Sequence, residues 1–97
     1  MGAGGVPNRT IERIDGRYGG LPTRSAKPNA RYDLYVNGNK VQSRWFDLDA
    51  RVIRNRDFEH QDAHHNHKFP HDHNWEWVNG KPIRDKNPVE PDYEKYY

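Results

Sequence analysis

The stretch "RYDLYVNGNKVQSRWF", Arg31 to Phe46, constrains the fold more than any other part of the chain. An Asn-Gly pair tolerates the left-handed backbone of a two-residue hairpin turn, and here it lies between two runs rich in strand formers. In the return run, Lys40 to Phe46, side chains alternate between faces, with Val41, Ser43 and Trp45 on one and Gln42, Arg44 and Phe46 on the other. "DLDA", Asp47 to Ala50, reads as a second tight turn, and "RVIRNRDF", Arg51 to Phe58, as a third strand. There Val52, Arg54, Arg56 and Phe58 alternate with Ile53, Asn55 and Asp57. A three-stranded antiparallel meander follows. Further on, "NWEWV" places Trp75 and Trp77 on one strand face, and "NGKP" closes it with another turn.

The flanks are less patterned. Residues 1–29 are rich in glycine and proline, and only Thr10 to Ile14 reads as a helical turn, with Thr10 as its N-cap. The opening "MGAGGVPNRT" lacks the charged and apolar blocks of a signal peptide and reads as a start placed on a piece of a longer protein. The tail "DKNPVEPDYEKYY" either hangs loose or packs Tyr93, Tyr96 and Tyr97 on the sheet. The expected fold class is α+β, mainly antiparallel β: a small twisted sheet with an N-terminal loop or short helix. One domain spans residues 1–97, with a lead-in over 1–29, a sheet over 30–84 and a tail over 85–97.

Composition limits the ways such a sheet can be stabilised. Of 97 residues, 32% are hydrophobic and 31% charged, close to the disordered side of the globular range. A chain this short buries only about 60% of its unfolded surface. Its aromatic residues must therefore form most of the core: Trp45, Tyr32, Tyr35 and Phe46 are the candidates. With no cysteine, disulfides and thiolate zinc sites are excluded. No apolar run approaches the roughly 20 residues of a membrane helix. The formal charge of +2 permits nucleic-acid binding without requiring it.

All six histidines fall between His60 and His73. Imidazole exchanges protons near neutrality, so two of them can serve a scissile phosphate as general base and general acid without a metal. His71 and His73, two apart on an extended chain, share a face roughly 7 Å apart, and His60 approaches from the end of the third strand. A second reading is a metal centre, zinc or magnesium, held by His67, His71 and His73 with His60 or Asp57, although the spacing matches no diagnostic motif. The third is a polar loop with scattered histidines. Arg44, Arg54 and Arg56 either bind phosphate or face solvent beside aspartates. Asp57 is placed to orient an imidazole. Trp45, Trp75 and Trp77 either stack on bases, Trp75 in particular, or fill the core.

The run from Gly19 to Trp77 also resembles the C-terminal toxin domains of bacterial polymorphic toxin systems. Such domains end wall-associated, Rhs-repeat, LXG-type and related secreted proteins, and similar segments end some phage structural proteins. The resemblance is carried by Gly20-Leu21-Pro22, by Arg44 to Ala50, by Arg56 to His60 and, most specifically, by the "HKFPHDHNWEW" of His67 to Trp77. It departs from the family pattern at the "DLDA" turn, which lacks a glycine, and at Asn55, where an aspartate is common. The resemblance implies a nuclease, a ribonuclease directed at tRNA first, with His60, His67, His71 and His73 as the trusted positions and His64 and His65 in a variable stretch. On this reading His60 and His71 are the acid–base pair, His67 and His73 support them, Asp57 orients His60, and no cofactor is needed. It further implies a monomer, carried on a secreted or cell-surface protein, that acts in the target-cell cytoplasm and is neutralised by a cognate immunity protein. The alternatives are a histidine-ligated metallonuclease and a non-enzymatic structural or adhesion module.

Overall fold

A computed structural model describes residues 9–58 and 69–97. Its six strands are β1 (Thr10–Asp15), β2 (Ala30–Val36), β3 (Asn39–Phe46), β4 (Val52–Asp57), β5 (His71–Val78) and β6 (Lys81–Arg84). They form one open sheet in sequence order, β1-β2-β3-β4-β5-β6. The β1–β2 pair is parallel and the other neighbouring pairs are antiparallel.

The turns follow the residues that need them. Asn37 and Gly38 both have positive φ (52° and 83°), as do Asn79 and Gly80 (52° and 75°), the geometry of a two-residue hairpin loop matched to strand twist. The Asp47–Ala50 turn uses a different device: the Asp47 carboxylate accepts the backbone N–H of Asp49 and of Arg51, and Ala50 donates its N–H to the Asp47 carbonyl. Ala50 itself sits at φ 63°, where a Cβ crowds the backbone.

The expected meander is present as β2, β3 and β4, and one expectation for the flanks needs correction. Thr10 to Ile14 is not a helical turn: it belongs to strand β1, and among the described residues there is no helix. The period of this segment is two, with Thr10, Glu12 and Ile14 turned inward and Ile11, Arg13 and Asp15 outward. Six consecutive pairings with β2, from Thr10↔Ala30 to Asp15↔Tyr35, outweigh its weak helical propensity. Strand β6, which begins at Lys81 within "NGKP" and ends the expected sheet region, is an edge strand that admits Pro82 because one side of an edge needs no donor.

Both faces of the sheet are covered. On one, Leu21, Ala30, Tyr32, Leu34, Val41, Phe46 and Val52 form the apolar core, with Trp75 and Trp77 packed against it. The other face carries Ser43, Trp45, Arg54, Arg56, Asp72 and Asn74, and the C-terminal tail lies across it. Asp72 is fully buried, pairing with Arg54 Nε at 2.8 Å and with Arg56 Nε at 2.8 Å. One carboxylate between two guanidiniums leaves a surplus positive charge. Carbonyl oxygens of the tail accept from it: Arg54 donates to Glu90, and Arg56 to Asp92 and Tyr96. The rings of Trp45, Tyr93 and Tyr96 also lie within 5 Å of these guanidiniums. A two-way backbone bridge between Asp72 and Val89, and a bond from Trp45 Nε1 to the Tyr97 carbonyl, complete the attachment of the tail.

Removing one member of a buried ion pair strands the other charge, at a cost of about 3–5 kcal/mol. Asp72→Asn should therefore lower the urea-unfolding free energy by about that amount and expose the tail to carboxypeptidase. A loss below about 1 kcal/mol would show the network to be dispensable. Ala50→Gly should act in the opposite sense, raising the urea midpoint through a gain of about 1 kcal/mol as the left-handed strain is relieved.

Candidate active site

Strand register assembles the site. On the core-side face, Gln42, Asp57 and His71 stand opposite one another on β3, β4 and β5, and Arg44, Asn55 and His73 form the next row. Directly opposed side chains have Cβ atoms about 5 Å apart, so six polar groups share one small patch. All but Gln42 are buried, with Asp57, His71 and His73 each less than 5% exposed.

The orientation of each group has an identifiable cause. Asp57 Oδ1 accepts from the Gln42 side-chain amide at 2.7 Å and from the Asn55 amide at 2.9 Å. Asp57 Oδ2 is turned toward the two imidazoles, 3.4 Å from His71 Nε2 and 3.7 Å from His73 Nε2. The amide of Asn55 is itself oriented, because its oxygen accepts the indole N–H of Trp75. His73 Nδ1 lies 2.8 Å from the Asp85 carbonyl, which has only acceptor capacity, so Nδ1 carries the proton and Nε2 presents a lone pair in the neutral ring. Burial lowers the His73 pKa, and the nearby Arg84 cation acts in the same direction. His73 is thus held neutral at physiological pH in a defined tautomer. The rings of His71 and His73 meet edge to face, with centroids 5.1 Å apart, and Phe69 packs on the far side of His71.

Two clefts border this centre. One, about 470 Å³, is lined by Trp75, Ile83, Arg84, Asp85 and Lys86. The other, about 200 Å³, runs from Pro70 and His71 to Pro88, Val89 and Glu90. The first places Arg84 and Lys86 on either side of Asp85, whose carbonyl fixes His73, with Glu76 also in its lining, and the second has the buried His71 in its wall.

The sequence-derived candidates separate into four groups. Asp57, His71 and His73 come together. Arg44 lies beside them: its Nη1 donates to the carbonyls of Leu21 and Pro22, its guanidinium stacks on Trp75 at 5.0 Å, and burial lowers its pKa to about 10, against the attraction of Asp57. It remains a cation at neutral pH. Trp75 is half-buried, with one ring face under Arg44 and its edge at the first cleft. Arg54 and Arg56 lie on the opposite face, committed to Asp72, and point away from the imidazoles. His60, His64, His65 and His67 fall outside the described residues. Gln42, Asn55 and Asp85 were not singled out by sequence reasoning for these contacts. Residue parity places Gln42 and Asn55 on the Asp57 face, whereas the Asp85 contact uses a backbone carbonyl and leaves no trace in residue identity.

Asn55 is fully buried, and its amide holds both Asp57 and Trp75. Asn55→Leu should leave Asp57 Oδ1 with the Gln42 amide alone and strand the indole N–H of Trp75, lowering the unfolding free energy by about 1–3 kcal/mol and shifting the Trp75 indole N–H resonance upfield. An unchanged indole signal would show that the bond does not persist in solution.

Compared with known protein families, curated proteins and solved structures, the chain matches none.

Proposed function

We propose that this chain is a nuclease domain that cleaves RNA, tRNA in the first instance, with Asp57, His71 and His73 as its reactive centre. The observation that carries this reading is the convergence of two imidazole Nε2 atoms on one buried carboxylate oxygen. Among the described residues Ser43 does not meet the histidines: its hydroxyl bonds Asp33 on the other face of the sheet. The nucleophile is assigned to an oxygen brought from outside, either water or the 2′-hydroxyl of RNA. Arg44 and Arg84 favour an anionic substrate there and stabilise the charge that develops at phosphorus.

His73 is suited to accept the proton of the attacking oxygen, being neutral with Nε2 directed into the cluster. As the new O–P bond forms, the P–O5′ bond breaks and the leaving oxygen takes a proton from a general acid. His71, whose ring centroid lies 5.1 Å from that of His73, is the second imidazole of the centre. The general acid is assigned to the pair His60 and His71, of which His60 lies outside the described residues. The resemblance to polymorphic toxins supports the same reaction and implies the same delivery and cognate immunity partner.

Purified protein should cleave tRNA, and His73→Ala or Asp57→Ala should lower the rate by about 10²–10⁴-fold. Cytoplasmic expression of the intact chain should arrest bacterial growth, and these variants should relieve the arrest. Harmless expression and intact RNA at micromolar protein would reject the proposal in favour of a structural module. Cleavage of DNA alone would keep the centre and change the substrate.

A further inference from the structure

The geometry points to Asp57, His71 and His73 as a site for one divalent transition ion of the zinc class, an inference that rests on the same three residues being the reactive centre. Donor geometry is the first argument. The three residues each offer one ligand atom, all within 4.8 Å of one another. In a tetrahedral zinc site with bonds of about 2.0–2.2 Å, neighbouring donors are about 3.3–3.6 Å apart. The two carboxylate–imidazole separations, 3.4 and 3.7 Å, already lie at or near that range, and loading requires mainly that the imidazoles draw together.

The supporting contacts are those a metal site needs. A metal-bound histidine characteristically donates its other ring N–H to a carbonyl or carboxylate, which fixes its tautomer and raises its basicity. His73 does so through Nδ1 and the Asp85 carbonyl. A ligating carboxylate is likewise steadied through its second oxygen, and Asp57 Oδ1 is held by two amides while Oδ2 faces the imidazoles. These contacts come from β3, β4 and the segment after β6, outside the set of three donors. The cluster therefore does not owe its arrangement to mutual attraction alone.

The donor chemistry selects the ion. Two nitrogens and one oxygen suit Zn2+ or Co2+, whereas Mg2+ prefers an all-oxygen shell. Three protein ligands leave a fourth position for a water molecule, whose pKa a bound zinc lowers toward 7; in the loaded protein that water would supply the base in place of His73 Nε2, which is then a ligand. Arg44 and Arg84 oppose the ion electrostatically and attract a phosphate, so they weaken metal binding while favouring an anionic substrate next to the ion.

The test starts from full-length protein stripped with a chelator, then titrated with Zn2+ against a fluorescent competitor and with Co2+ by visible absorption. Wild type should bind one equivalent at this site and give the intense d–d bands of a tetrahedral Co2+ centre. Asp57→Asn and His73→Ala should weaken that equivalent at least 100-fold, with circular dichroism matching that of the stripped wild type. A variant with His60, His64, His65 and His67 all changed to Gln should keep the equivalent within tenfold. Failure of Zn2+ and Co2+ to bind stripped wild type would overturn the inference, and so would binding that survives the Asp57 and His73 changes or vanishes with the four-histidine change. The two proposals fail separately: tRNA cleavage by protein that binds no metal rejects the ion and keeps the nuclease. A metal equivalent without cleavage does the reverse.

Discussion

The register between β4 and β5 is the constraint on which the rest of the structure depends. Side chains on a strand alternate between faces, so a slip of one residue would exchange the contents of the two sides of the sheet. In the observed register Arg56 stands opposite Asp72 and Asp57 opposite His71. The first pairing builds the ionic network under the tail, and the second builds the centre. The Arg54–Asp72–Arg56 network thus holds the imidazoles in place without touching them: any shift that misaligned the centre would first have to separate buried charges. Such networks contribute little net stability against an apolar alternative, and specifying one arrangement over its neighbours is the role best suited to this one.

How much of this is legible in the sequence depends on the kind of contact involved. The hairpins were legible because Asn37-Gly38 and Asn79-Gly80 supply the only residues that adopt those turns cheaply. The pairing of Asp57 with His71 and His73 on one face was partly legible, since strand parity alone puts the histidines together and Asp57 with Asn55. Arg54 and Arg56 show where parity stops. Their shared face was evident, and their partner was not, because Asp72 lies within the histidine-rich run and drew no attention of its own. Residues Thr10 to Asp15 misled for a related reason. A short segment of mixed propensity has no preference strong enough to resist a neighbouring strand, and its conformation is decided by Ala30 to Tyr35. The tautomer of His73 is set by a backbone carbonyl of Asp85, which any residue at that position would supply.

A protein with so little apolar content carries an unusual share of polar groups in its interior, and the two faces handle them differently. Under the tail, charges neutralise one another and have no access to a ligand: Asp72 is saturated by two guanidiniums, and the guanidiniums by carbonyls and rings. In the centre the same residue types are arranged around one carboxylate. Asp57 meets amides on one oxygen and imidazoles on the other, and His73 donates at Nδ1 while its Nε2 faces the carboxylate. A buried network whose members all satisfy one another is a structural device. One whose donor atoms converge on a single carboxylate is the arrangement that the proposed chemistry uses. That contrast within a single sheet, between neighbouring residues of the same two strands, is the strongest reason to read the histidine side as chemistry and the arginine side as architecture.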